Sequence, residues 1–222
     1  VSESTTVTES TSGLKVDRAY QQLKRMIVTL ELEPGANIDE RELMLRLEVG
    51  RTPLREAVAR LVSERLIVHT PRKGAWVSSL SLTDLQQMLD ARGALDALIA
   101  RRAATFSTEE DRLELQKFIE EAAQSPFDLA HNVELVELDF ALHARVAKMA
   151  CNSYLASFSD QVNSAMLRYW HLAGRSDQVR STWSGRHTDL IDAITSGDPD
   201  WAEAAARKHV AQLRDNLRNV LV

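Results

Sequence analysis

The 222-residue chain contains a single cysteine, Cys151, so it has no internal disulfide framework. A lone thiol fits a reducing interior, where disulfides rarely persist. It falls at an expected helix junction and is read as buried and inert. No apolar run approaches the roughly 20 residues that cross a bilayer. The first residues also lack the basic-then-apolar order of a secretion signal. No membrane partner is expected, and the cytoplasm is the expected location. Internal repeats are missing, and so is any strand pattern beyond Leu82. What is present is an ordinary globular composition, 44% hydrophobic and 27% charged. Its length suits one large or two small domains with a real core.

Net charge is −5, which taken over the whole chain argues against a polyanionic partner. Its distribution points the other way. Residues 15–80 carry 12 Lys and Arg against 9 Asp and Glu, a net of +3, whereas residues 81–222 carry 15 against 21, a net of −6. A basic part joined to an acidic part is expected when only one of them meets phosphate.

Residues 1–14 are mostly Ser and Thr with almost nothing to bury, and are expected to form a disordered tail. From Val16 to about Leu30 a helix places Tyr20, Leu23, Ile27 and Leu30 on one face, and Glu33-Pro34-Gly35 breaks it. Two short amphipathic helices follow. Leu43 and Leu47 mark the buried stripe of the first; Leu54, Ala57, Val58 and Leu61 mark that of the second. Thr52 suits an N-cap and Pro53 the first helical position. A hairpin then pairs Leu66-Ile67-Val68 with Ala75-Trp76-Val77 around a Pro71-Arg72-Lys73-Gly74 tip. This order is that of a winged helix-turn-helix over residues 15–79, whose second helix enters the DNA major groove.

Residues 80–222 read as helical throughout, an antiparallel bundle of six or seven helices. Segments run over 82–105, from Ser107 to before Ser125-Pro126, over 130–150, from Asn152 to about Ala173, over 177–196, and from Asp198-Pro199 to the end. The fold class is therefore mainly α. The first of these helices carries apolar residues on more than one face, which suits either a dimer surface or a core. Trp170, Trp183 and Trp201 read as packing residues.

Two constellations carry chemistry. Arg51 and Arg55 are forked donors at the exposed front of the second short helix, able to address a guanine O6/N7 edge, and Thr52 can bond phosphate. Arg41 on the preceding helix can meet the backbone or a neighbouring base. Arg72 and Lys73 at the wing tip suit phosphates. Taken singly, each arginine also reads as a solvated residue balanced by Glu40, Glu42 and Glu56. In the helical part, Asp139 and His143 are four residues apart and share a helix face. His187 and His209 lie on later helices. Three imidazoles and a carboxylate can bind a divalent transition metal, although Asp-x-x-x-His alone is a weak signal. His69, His131 and His171 fall outside this pattern.

Pro34-Gly35, the segment ERELMLRLEVGRTPLREAVARL (residues 40–61) and the Arg72-Lys73-Gly74 wing resemble the DNA-binding domain of the GntR regulators. The resemblance implies DNA contacts by Arg41, Arg51, Thr52 and Arg55, aided by the wing around Lys73 and Gly74. Gly50 stands where the family usually has Ser or Thr, which removes a phosphate-contacting hydroxyl. Arg65 stands where a glycine is common before the first wing strand. The segments LDFALHARVAKMACNSYL (138–155) and RHTDLIDAITSGDPDWAEAAARKHVAQL (186–213) resemble the FCD ligand-binding domain of the FadR branch. That likeness implies a zinc, nickel or manganese ion on Asp139, His143, His187 and His209. It also implies an effector-facing Arg92, for which a salt bridge with Asp96 is the alternative. The function implied is a homodimeric, non-enzymatic transcription regulator on an inverted-repeat operator, controlled by a small organic acid. A metal sensor and a metal-dependent hydrolase are the rival readings, the latter without a general base beside the ligands.

Overall fold

A computed structural model describes residues 4–124, 132–173 and 183–221. The chain divides into two compact units, Val1–Leu80 and Ser81–Val222.

The first unit opens with α1 (Ser4–Val28). Its backbone is helical from Ser4, a stretch where composition alone leads to an expectation of disorder. The buried stripe begins only at Val16 and continues through Ala19, Leu23 and Ile27. Once that stripe is packed, each residue added upstream gains a backbone hydrogen bond without a new nucleus. Leu30, at φ 60, then leaves the helical region. Next come α2 (Glu40–Leu47) and α3 (Arg51–Ser63), which bury Leu43 and Leu47, and Leu54, Ala57 and Leu61 respectively. Asp39 caps α2 by accepting from the Arg41 and Glu42 amides at 2.8 and 3.1 Å.

The cap of α3 differs from the expected one. Gly50 is the N-cap, with extended φ −76 and ψ 172, and the Leu54 amide donates to its carbonyl at 3.2 Å. Thr52 and Pro53 therefore sit in the first turn. Pro53 still costs nothing there, because first-turn amides have no helical acceptor. The wing is an antiparallel pair, β1 (Ile67–Thr70) and β2 (Gly74–Val77), with Ile67 opposite Val77 and Thr70 opposite Gly74. Residues 35–38 lie along its other edge: the Gly35 and Ile38 amides donate to Val77 and Ala75, and the Val77 amide to Ala36.

The second unit holds α4 (Leu82–Phe106), α5 (Glu109–Gln124), α6 (Asn132–Met149), α7 (Ser153–Ala173), α8 (Trp183–Ser196) and α9 (Pro199–Leu221). The starts expected for the third and fifth segments fall outside the described residues. Ile99, Ala103, Leu142, Val146, Leu190, Ile194, Ala202 and Ala206 belong to one apolar core. Small alanines on α4, α6 and α9 let these helices approach closely around it. Two polar ties fix the frame. Arg102 Nε donates to the Ala150 carbonyl at 3.0 Å, holding the end of α6 against α4. Tyr169 Oη donates to the Ser81 carbonyl at 2.9 Å, holding the start of α4 on α7. Cys151 is exposed rather than buried. It takes φ 48 as the chain turns out of α6. Trp170 packs as expected at 7% exposure, whereas Trp201 remains 46% exposed on the outer face of α9.

Candidate functional sites

Arg51, Thr52 and Arg55 are all exposed at the front of α3, opposite its buried stripe. Arg55 Nε donates to both carboxylate oxygens of Glu40 on α2, at 3.0 and 3.1 Å. That carboxylate pre-orients the side chain through Nε and leaves the Nη donors for other acceptors. Arg41, Arg72, Lys73 and Gly74 are exposed as well. At the wing tip the Lys73 amide donates to the Thr70 carbonyl at 3.0 Å, closing a turn over Pro71 and Arg72. Arg72 has φ 65 there, a position that favours glycine. A cationic side chain is thus held at the apex at some conformational cost.

The two unusual residues of this unit have physical readings. Arg65, just before β1, has φ 60. The backbone keeps the left-handed turn for which glycine is the usual choice. At Gly50 an added Cβ would meet only Pro53 Cδ, at 3.8 Å. A serine would fit, so space is not what excludes a hydroxyl there.

In the second unit, ligand nitrogens of His143, His187 and His209 lie within 4.8 Å of one another, and all three residues are buried. They come from α6, α8 and α9. Asp139, one turn before His143, places Oδ1 3.1 Å from His187 Nε2 and Oδ2 3.8 Å from His143 Nε2. Two ligands about 2.1 Å from one ion stand roughly 3.0–3.4 Å apart, so the carboxylate–imidazole spacing is close to that of a shared ion. Donor chemistry agrees: borderline nitrogen ligands plus one carboxylate suit a divalent transition metal.

The electrostatics also keep these groups in ligand form. Burial, reinforced by the Arg92 charge, pushes His143 down to about 3. His209 is held well below its ordinary value by burial and by the neighbouring His187, His143 and Arg92. Burial alone would raise Asp139. The His187 hydrogen bond and electrostatic interaction with His143, His187 and Arg92 outweigh it and hold the carboxyl well below the usual range. Neutral His143 and His209 imidazoles beside an ionised carboxylate are the protonation states that metal ligation requires.

Arg92, at 1% exposure, lies at the same place. Its Nε donates to Asp96 Oδ2 at 2.9 Å, and its Nη2 lies 2.8 Å from His143 Nε2. A guanidinium has only donors, so His143 Nε2 accepts and its proton resides on Nδ1. The salt bridge and the site contact hold together rather than as alternatives. Ser159 of α7 was not singled out from sequence, yet it lines a small cavity with Asp96, His143 and His209. Its signal was readable: Ser159 and Asn163 are two polar residues four apart on a buried helix face. Of the remaining histidines, His69 is exposed and His171 half-buried, while His131 lies outside the described residues.

Comparison with known proteins gives the family. The family described as "FCD domain" matches residues 87–212, and "Bacterial regulatory proteins, gntR family" matches residues 15–77. The chain belongs to the GntR family and carries an FCD domain. This GntR regulator is 24% identical over 201 residues to the HTH-type transcriptional repressor RspR of Escherichia coli strain K12, covering 90% of this chain and 88% of that one. To the Nta operon transcriptional regulator of Aminobacter aminovorans it is 26% identical over 200 residues, covering 88% and 91%. The solved structure of E. coli McbR/YncC superposes with a TM-score of 0.77 at 18% identity, over 92% of this chain and 97% of that one. That likeness concerns the fold, a winged helix followed by a helical bundle. The regulator is therefore a DNA-binding transcription regulator and not an enzyme, and the hydrolase reading falls. No helix among the described residues is long and apolar enough to cross a membrane.

Proposed function

We propose that this GntR regulator binds an inverted-repeat operator as a cytoplasmic homodimer, under control of a small organic acid that meets a metal ion in the FCD domain. Asp139, His143, His187 and His209 would hold the ion, and Arg92 would pair with the effector carboxylate in fork geometry. A bound divalent ion supplies the local positive charge that draws a carboxylate into an otherwise apolar core. The observation that carries this reading is the convergence of three buried histidine nitrogens within 4.8 Å, with Asp139 Oδ1 3.1 Å from one of them. Zinc, nickel and manganese all suit the donor set.

On the DNA side, Arg51 and Arg55 read bases. Arg41, Gly50 through its backbone amide, Thr52 and the Arg72-Lys73-Gly74 tip meet phosphates or adjoining bases. One winged helix reads too few base pairs for useful specificity, which supports a dimer.

Elemental analysis of untagged protein beside a His187→Ala/His209→Ala variant tests the metal centre. One bound ion in the first and none in the second is expected. Equal content in both, or none in either after loading with zinc, nickel and manganese, overturns it. Light scattering on the full chain at micromolar concentration tests the dimer, and a clean monomer refutes it. One observation favours the metal-sensor reading, in which the ion is itself the effector: the cavity beside His143 and His209 measures about 10 Å3. Weak, reversible metal binding that alone changes operator affinity would establish that alternative.

A further inference from the structure

The turn that joins α6 to α7 borders a cleft of about 400 Å3. That is within the roughly 300–1,000 Å3 range of small-molecule sites. Phe140, Ala144, Ala147 and Ala156 give it apolar walls. Cys151, exposed on the same turn, lines it as well. The function proposed above uses neither the cleft nor the thiol.

Two enclosed polar side chains lie on one wall. Ser159 and Asn163, at 3% and 6% exposure, line the cleft from α7. Asn163 Nδ2 donates to Ser159 Oγ at 3.2 Å. The Ser159 hydroxyl proton and the Asn163 carboxamide oxygen have no partner among the described residues. Buried donors and acceptors are almost always satisfied, so this open pair points to a group supplied from the cleft. A ligand hydroxyl fits, since it accepts from the one and donates to the other. Along α7, Ser159 lies a rise of about 9 Å beyond Ser153, the first residue of the helix and a close neighbour of Cys151.

We propose that Cys151 and this cleft form a covalent site for phenolic α,β-unsaturated carbonyl compounds. Cysteine is intrinsically nucleophilic, and an exposed one can meet an alkene. The Cys151 S–H adds across the C=C bond. Sulfur bonds to the β carbon, the π pair moves toward the carbonyl to give the enolate, and the thiol proton reaches the α carbon by way of water. No oxidant enters. An aryl ring on the β carbon then packs on Phe140 and the alanines. Its para hydroxyl crosses a gap of the order set by α7 and meets Ser159 and Asn163. The carbonyl, only a few bonds from sulfur, stays at the outer side, where Lys148 is exposed.

Mass spectrometry of the full-length protein follows adduct formation at its single thiol. Three enones are compared, 4-hydroxybenzalacetone, benzalacetone and ethylideneacetone, each rate being divided by that for N-acetylcysteine. The hydroxyphenyl enone is expected about fivefold ahead of the phenyl one, the worth of one or two buried hydrogen bonds. The phenyl enone is expected about tenfold ahead of the methyl one, for burial of the ring. The saturated ketone 4-hydroxybenzylacetone, which has no alkene to react, should slow both aryl enones by competition. Ser159→Ala/Asn163→Ala should erase the first step and keep the second. Ala144→Trp fills the cleft from an exposed position and should erase both. Equal corrected rates in the wild type, no protection by the saturated ketone, or a first step that persists in the double variant would each overturn the inference.

Discussion

Arg92→Met would strip the guanidinium from one of the most enclosed places in the protein. Arg92 is 1% exposed and Asp96 8%. Their 2.9 Å bond is the Asp96 carboxylate's ion pair within the helical unit, and the same guanidinium donates to His143. Methionine keeps most of the volume, so packing changes little. What changes is that a carboxylate is left in a low-dielectric site without its counter-charge. Breaking a buried pair in this way costs about 3–5 kcal/mol. Residual exposure of Asp96 admits some water, so the lower end, about 3 kcal/mol, is expected. At roughly 2–4 °C per kcal/mol for a chain of this size, the midpoint of the helical unit should fall by about 6–12 °C. Arg92→Met/Asp96→Leu removes both charges and should recover most of that loss, because an apolar replacement of a buried pair is often neutral. Differential scanning calorimetry of metal-stripped protein can resolve this unit's transition from that of the winged helix. A drop below about 2 °C in the single variant, or a double variant less stable than the single, would refute the reasoning.

Three further outcomes follow from the geometry. In metal-stripped protein His143 is neutral until about pH 3 and His209 is depressed in the same direction. The unfolded chain protonates both below roughly 6.5. Their contribution is therefore fully present above that pH and is lost as pH falls below it, at about 1.4 kcal/mol per pH unit for each group; urea unfolding that is flat between pH 7 and 5 would contradict this. Arg65→Gly relieves a non-glycine residue at φ 60 and should raise stability by about 0.5–1 kcal/mol, read as a higher urea midpoint; a lower midpoint would show that the Arg65 side chain matters more than its backbone strain. Arg55→Ala should weaken the selected operator by about 1–3 kcal/mol and relax one base position. Lys73→Ala should instead weaken all sequences alike and flatten the salt dependence. Gel-shift titrations over a range of salt separate the two patterns, and an Arg55→Ala variant with wild-type operator affinity would remove α3 as the reading element.

Local chemistry alone made much of this protein legible. Apolar spacing marks each helix because a buried stripe must recur at the helical period. Asn152 and Asp198 mark helix starts because their side chains accept first-turn amides, as they do here at 3.0–3.2 Å. The RTPLREA segment marks the recognition helix, since its arginines must face away from Leu54, Ala57 and Leu61. Where residues from distant segments meet was not legible in that way. Spacing puts Asp139 and His143 on one face, but only the packing of α6, α8 and α9 around α4 brings His187 and His209 to them. Arg92 reads from sequence as either a salt bridge or a cavity-facing residue; the structure pairs it with Asp96 and also sets it against His143. Gly50 as the cap of α3 and Cys151 as an exposed turn depend on backbone angles that side-chain pattern does not report. Ser159 shows the same limit most clearly. Its place at the border of two cavities is a property of how α7 packs on α6, and one helix's periodicity carries no record of what lies across from it.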